Sequence, residues 1–290
     1  MTDRVDGGLG PMPVEIDPNV PHSSRVYDYL LGGTDNFPAD REVAHQMSAA
    51  LPGGIDASRA NARTNRVFLG QAVRYLAGQQ GIRQFLDIGP GIPVVNQTHE
   101  VAQQIAPDSR IVYADNDPIV LAHAHTLLKS TAEGHTDFIE GDLRDPGPIL
   151  ERAAESLDFD QPVALMLVAI FHMIPDEDRP YDIVRQLTEA LAPGSYIVLS
   201  HLTADIHGQV MADAIEHLGN ETREPFVPRT REEFTRLLDG WELVPPGVAQ
   251  IDEWLRTGPL PPPPDAEPRR PEGLPDDWRN PLWAAMGRKP

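Results

Sequence analysis

Three aspartates, each closing a short apolar run, are the residues of this 290-residue sequence best placed to do chemistry. Phe85-Leu86-Asp87-Ile88 runs straight into Gly89-Pro90-Gly91. A second run ends Tyr113-Ala114-Asp115-Asn116-Asp117-Pro118, and a third ends Glu140-Gly141-Asp142-Leu143. A buried strand that delivers its carboxyl end to a glycine turn lets a ligand approach main-chain atoms without meeting side chains. An acid roughly 20 to 25 residues beyond the glycines is placed to accept from both hydroxyls of a ribose. Three such strand ends in series therefore predict a nucleoside-type ligand. Asp115 is the expected ribose acceptor and Asp117 the cap of the helix that begins at Pro118. Asp142 is expected to accept from the amine of an adenine, with Leu143 packed on the base. Asp87 either accepts from a ligand amine or braces its loop. The plainer readings are an ordinary tight turn at Gly89-Pro90-Gly91 and an exposed loop acid at Asp142.

A second group of residues lies at the ends of later strands and near the N-terminus. His172 follows the apolar run 163–170 and His201 follows the run 195–200. Either is a candidate general base, since an imidazole is half protonated near neutral pH; the alternative is a hydrogen-bonded structural histidine. Arg25 is a candidate for gripping a carboxylate with its forked guanidinium, or else a surface arginine. Tyr27 and Tyr29 read as packing residues, and His99-Glu100 as the start of a helix. The ten histidines are scattered, and no ligand cluster points to a metal, so none is expected.

Composition narrows the partners. The net charge of −20 opposes the phosphate-matching surface that nucleic acid requires, so nucleic acid is not an expected substrate. There are no cysteines, which removes disulfides, thiolate metal sites and cysteine nucleophiles. No run approaches the roughly 18 apolar residues of a membrane span, and the first residues lack a signal-peptide profile. A cytoplasmic setting is expected.

These residues need elements to hold them. Residues 1–21 read as a disordered tail. Helices are predicted from Ser23 or Ser24 to Gly32-Gly33, from 36–38 to 50, and from 58 to 77. From Phe85 onward, strands alternate with helices: strands over 85–88, 110–114, 136–140, 163–170 and 195–200, with helices over 98–105, 118–128, 149–156, 179–191, 204–218 and 229–238. That alternation argues for a parallel sheet covered on both faces. A further strand is expected in 241–248 and another in 282–287, separated by a proline-rich loop over 259–281 with four consecutive prolines at 261–264.

In this order the motifs resemble class I S-adenosylmethionine-dependent methyltransferases. More narrowly, the chain resembles an actinobacterial methyltransferase family long catalogued as a domain of unknown function. The resemblance runs through Ser24-Arg25-Val26-Tyr27-Asp28-Tyr29-Leu30-Leu31-Gly32-Gly33, Asn65-Arg66, Phe85 to Gly91, His99 to Ala102, Asp115 to Pro118, Asp142 to Pro146 and the terminal Gly287-Arg288-Lys289-Pro290. It implies a Rossmann-like α/β domain over 81–290, with a seven-stranded, mostly parallel sheet whose last strand is antiparallel. It also implies an N-terminal helical cap over 22–80. The implied cofactor is S-adenosyl-L-methionine, held by Asp87, Gly89, Pro90, Gly91, Asp115, Asn116, Asp142 and Leu143, with Arg25 a candidate for its methionine carboxylate. The implied partner is a small-molecule methyl acceptor. Two competing functions remain open at the level of sequence. A nicotinamide-dependent oxidoreductase is disfavoured because the turn reads Gly89-Pro90-Gly91-Ile92-Pro93-Val94, without a third glycine. A non-catalytic S-adenosylmethionine-binding regulator would keep the same motifs.

Overall fold

The computed structural model describes residues 17–93, 96–127, 129–262, 274 and 278–290. The expected tail up to residue 16 and most of the proline-rich loop lie outside these residues, as do Val94, Val95 and Leu128.

The N-terminal segment folds as α1 (Ser23–Leu31), α2 (Pro38–Ser48) and the long α3 (Gly54–Gly78). His22, not a serine, occupies the cap position of α1, and its Nδ1 accepts from the Ser24 N–H at 3.4 Å. The serine is not the cap because its hydroxyl is spent elsewhere, on Asp117. Gly32 closes α1 in the left-handed region at φ 87, a conformation that only glycine adopts cheaply.

Strands then alternate with helices as expected: β1 (Gln84–Ile88), α4 (Thr98–Ile105), β2 (Arg110–Asp115), α5 (Pro118–Leu127), β3 (His135–Glu140), α6 (Pro146–Ala153), β4 (Ala164–Val168), α7 (Pro180–Glu189), β5 (Tyr196–Leu202), α8 (Gln209–Thr222) and α9 (Arg231–Arg236). The strand predicted over 241–248 forms only as β6 (Glu242–Leu243), and a second short strand, β7 (Ala249–Gln250), lies just beyond it. Pro245 and Pro246 lie between them and have no N–H to give a ladder. A helix that was not predicted, α10 (Ile251–Thr257), follows at once. Its Ile251 and Trp254 are fully buried, and the Trp254 Nε1 donates to the carbonyls of Gly247 and Ala284. The chain ends in β8 (Leu282–Arg288).

The sheet order is β3-β2-β1-β4-β5-β8-β6, with β7 also paired to β8. Strands β1 to β5 are parallel, and β8 runs antiparallel to β5, β6 and β7. This is the mostly parallel sheet with an antiparallel C-terminal strand that the resemblance implies, with eight strands rather than seven. Alternate residues feed two cores. Leu86, Val112, Leu165 and Ile197 face α6, α7 and α9, whereas Phe85, Ile111, Met166 and Val198 face α3, α4 and α10. The C-terminal part of α3, from Phe68 to Ala77, belongs to that second core, so α3 joins the N-terminal helices to the sheet. A separate cluster of Val26, Leu30, Val43, Ala44, Ala62 and Leu218 packs α1 and α2 onto α8. Among the described residues no helix is long and apolar enough to cross a membrane.

Candidate active site

The carboxyl ends of β1, β2 and β3 come together as the sequence predicts. Gly89 N–H donates to the Ala114 carbonyl at 2.8 Å, and Gly141 N–H to the Asp115 carbonyl at 3.0 Å, so the three strand ends are laced edge to edge. Gly89 and Gly91 have φ of 73 and 69. A Cβ at Gly89 would lie 2.6 Å from Ile170 Cδ1, whereas a Cβ at Gly91 would meet nothing within 4 Å. The turn is thus packed against the β4 end on one side and open on the other.

Asp115 is buried at the end of β2. Its Oδ1 accepts from the Asp117 N–H at 2.9 Å and its Oδ2 from the Gly91 N–H at 3.4 Å. Burial pushes its carboxyl up to about 7, against the pull of those N–H donors. Asp117 caps α5 as expected, its Oδ1 accepting from the Ile119 N–H at 2.8 Å. Asn116 is exposed between them, and its side chain bonds to Asp142.

Asp87 braces. Its Oδ2 accepts from Thr98 Oγ1 at 2.6 Å, joining β1 to the start of α4, and burial raises its carboxyl to about 6. The first turn of α4 is satisfied internally: Gln97 N–H donates to Glu100 and His99 N–H to the Tyr113 hydroxyl, both at 2.9 Å. Asp142 is half-buried and gripped by Arg144, whose Nε lies 2.9 and 3.0 Å from its two oxygens. That contact holds the carboxyl below its usual range. Leu143 is buried in the core with Ile139 and Ile149, so it supports the β3 end from below.

The acceptor-side expectations need correction. Arg25 is not a free fork: it is buried, its Nε pairs with Asp40 at 3.0 Å, and its Nη2 donates to the Val20 carbonyl. His201 is not available as a base. Its Nδ1 donates to the Leu202 carbonyl at 2.6 Å, while its Nε2 accepts from Arg229 Nη1 at 3.0 Å. It is fully buried, and burial holds it well below the ordinary imidazole value. His172 is also buried, held down to about 3 by burial and by the nearby Arg229 charge. It stays a neutral ring and a poor proton acceptor. It stacks on Phe226 at 5.5 Å, and its Nδ1 has no hydrogen-bond partner.

Two arginines escaped the sequence reading. Arg229 is 2% exposed and donates to the carbonyls of Phe171 and Ile174, to His201 and to Asp176. Arg66, half-buried on α3, donates to the exposed Asn96 carbonyl at 3.2 Å, and its charge favours the ionised form of Asp87. Only its place beside Asn65 in the resembling motif gave a signal. Asn65 itself links α1 to β5: Ser200 Oγ donates to its Oδ1 at 2.6 Å, and its Nδ2 donates to the Tyr27 hydroxyl at 3.1 Å. Among the described residues no group of three or more His, Asp or Glu is arranged to hold a metal ion. A surface groove of about 560 Å³ lined by Gln84, Arg110 and Phe159 lies at the opposite, amino edge of the sheet and contains none of these residues.

Comparison with known proteins places the chain in a family. Residues 10–290 match the model of the S-adenosyl methyltransferase family. The crystal structure of a DUF574 family protein from Streptomyces avermitilis superposes with a TM-score of 0.82 at 39% identity, covering 94% of this chain and 99% of that one. A candidate methyltransferase of Thermobifida fusca superposes with a TM-score of 0.77 at 36% identity, covering 93% and 96%. No curated protein matches the sequence. With the family model spanning nearly the whole chain and the acid-tipped strand ends in the expected register, the chain belongs to the S-adenosylmethionine-dependent methyltransferases of the DUF574 type.

Proposed function

We propose that the cleft at the carboxyl ends of β1 to β3 binds S-adenosylmethionine, and that the methyl group goes to a small-molecule acceptor between the β4 and β5 ends and the helical cap. The observation that carries this reading is Asp115, a buried carboxylate at the end of β2 whose contact with the Gly91 N–H is long, next to an open glycine turn. A carboxylate that accepts suits the two donating hydroxyls of a cis-diol. Asp142, with Asn116 beside it, serves the adenine amine, and Leu143 supports that end. Gly89, Pro90 and Gly91 leave the main chain bare for the methionine portion. Asp87 holds the turn through Thr98. Arg66, the partly free cation closest in effect to Asp87, serves the methionine carboxylate in place of Arg25.

Bound there, the cofactor supplies an activated methyl on a sulfonium, so the protein's share is alignment and exclusion of water. His172 fits that share as a neutral hydrogen-bonding ring that orients an acceptor. A base is needed only if the accepting atom must lose a proton during attack.

Calorimetric titration with S-adenosylhomocysteine and, separately, with NAD tests the reading. Binding of the first and not of the second is expected; the reverse overturns it. Methyl transfer to any member of a small-molecule panel then separates an enzyme from a regulator that only binds.

A further inference from the structure

We infer that Asp117 is a positioning residue that joins the ribose-binding carboxylate to the N-terminal cap, and so sets how long the cofactor is held. The inference rests on the cofactor reading above. Asp117 makes three contacts at once. Its backbone N–H donates to Asp115 Oδ1 at 2.9 Å, its Oδ1 caps α5, and its Oδ2 accepts from the Ser24 hydroxyl at the start of α1.

The segment it receives is pinned from other sides as well. His22 Nε2 lies 3.8 Å from Glu224 Oε1, beyond the end of α8. Glu224 Oε2 also accepts from the Ser23 N–H at 2.9 Å. From α2, Asp40 accepts from the His22 N–H at 3.0 Å and pairs with Arg25, which in turn holds the Val20 carbonyl. Residues 20–25 are therefore a strap with one end on the ribose loop and the other on the α8 side of the acceptor region. The α5 cap alone would need only one carboxylate oxygen. The second oxygen is spent on the strap, and the backbone N–H steadies Asp115. A ligand that orders Asp115 orders Asp117, and with it the strap.

The test uses the full chain, with S-adenosylhomocysteine as probe. Ser24→Ala and Glu224→Gln leave Asp115 and Asp117 intact and loosen one end of the strap each. Losing a hydrogen bond to a charged group at a partly buried contact predicts release about tenfold faster than wild type. The melting temperature of the apo protein serves as the control for a merely structural effect. Hydrogen exchange in residues 20–33 should slow when the ligand binds wild type, and slow much less in Ser24→Ala. Equal release rates and equal protection in both variants overturn the strap while leaving the cofactor site standing. No binding by wild type overturns the cofactor reading and the strap together.

Discussion

Arg229 Nη1 donates to His201 Nε2 at 3.0 Å, and both side chains are buried. This pair fixes the imidazole as its neutral Nδ1–H tautomer and turns a candidate base into a strut. The same guanidinium satisfies the Phe171 and Ile174 carbonyls, so one residue secures the turn after β4 against the end of β5. Arg229→Met takes the guanidinium partner from His201 Nε2 and the Ile174 carbonyl, while the Phe171 carbonyl keeps the Ile174 N–H. At about 1–3 kcal/mol for each unsatisfied group, urea unfolding should show a loss of at least about 2 kcal/mol. A loss below about 1 kcal/mol would show that the pair is not structural.

Asp115 should dominate cofactor affinity. Removing a charged acceptor costs about 1.5–3 kcal/mol, so Asp115→Ala should bind S-adenosylhomocysteine about 10- to 150-fold more weakly in a protein that still folds. Calorimetry with unchanged affinity removes Asp115 from the site.

The raised carboxyl of Asp115 gives that affinity a pH dependence of definite sign. In the free protein the group is half protonated near pH 7. Two ribose hydroxyls both donate to the ionised form, so binding favours proton loss. Affinity should climb as pH rises from 5 toward 7, by up to about tenfold per unit, and level off above. Asp115→Asn should bind weakly with no such slope. A flat wild-type profile over pH 5–8 counts against an ionised Asp115 as the ribose acceptor.

Asp87 predicts a stabilising substitution. Its carboxyl is raised from 3.8 to about 6, so between those values the folded protein holds a proton that the unfolded chain has lost. The stability this group contributes is greatest below pH 4 and falls as pH rises through 6. At 1.36 kcal/mol per unit the cost of ionisation is about 3 kcal/mol at pH 8. An asparagine still accepts from Thr98 through its Oδ1 and carries no charge. Asp87→Asn should therefore raise apo stability at pH 8 by about 1–3 kcal/mol and leave it unchanged at pH 4. His172 and His201 pull the other way in acid: held neutral in the fold, they favour the unfolded chain as pH falls below about 6.5. Comparing mutant with wild type at each pH cancels their effect.

Local patterns were legible in the sequence, and long-range pairings were not. The helix at Thr98–Ile105 has its predicted limits, and the three acids stand at the strand ends where the apolar runs placed them, because each signal lies within about ten residues of chain. His201 misled because its partner Arg229 is 28 residues away, and Arg25 because Asp40 is 15 residues away on another helix. The helix at Ile251–Thr257 was readable from Ile251, Trp254 and Leu255 at helical spacing, but the prolines before it suggested only a strand and a loop. The dual use of Ser24, which looks like a helix cap and is instead a ligand of Asp117, has no local signature.

The last prediction concerns the turn itself. Gly89 has φ 73, and its missing Cβ makes room for Ile170, the residue that follows the positive-φ Ala169 at the end of β4. Gly89→Ala therefore meets two separate penalties. The left-handed backbone costs about 1–2 kcal/mol for a residue with a Cβ, and the contact at 2.6 Å forces Ile170 aside for about 1–3 kcal/mol more. Ile170→Ala removes the two atoms that would clash at 2.6 and 2.7 Å but leaves the backbone strain. In a double-mutant cycle followed by thermal unfolding, Gly89→Ala should thus cost less in the Ile170→Ala background than in wild type, with a coupling of about 1 kcal/mol or more. The remaining cost should persist in the double mutant. Strict additivity would mean that the glycine is needed only for its backbone angle, and that the β1 turn and the β4 end are not packed as one unit.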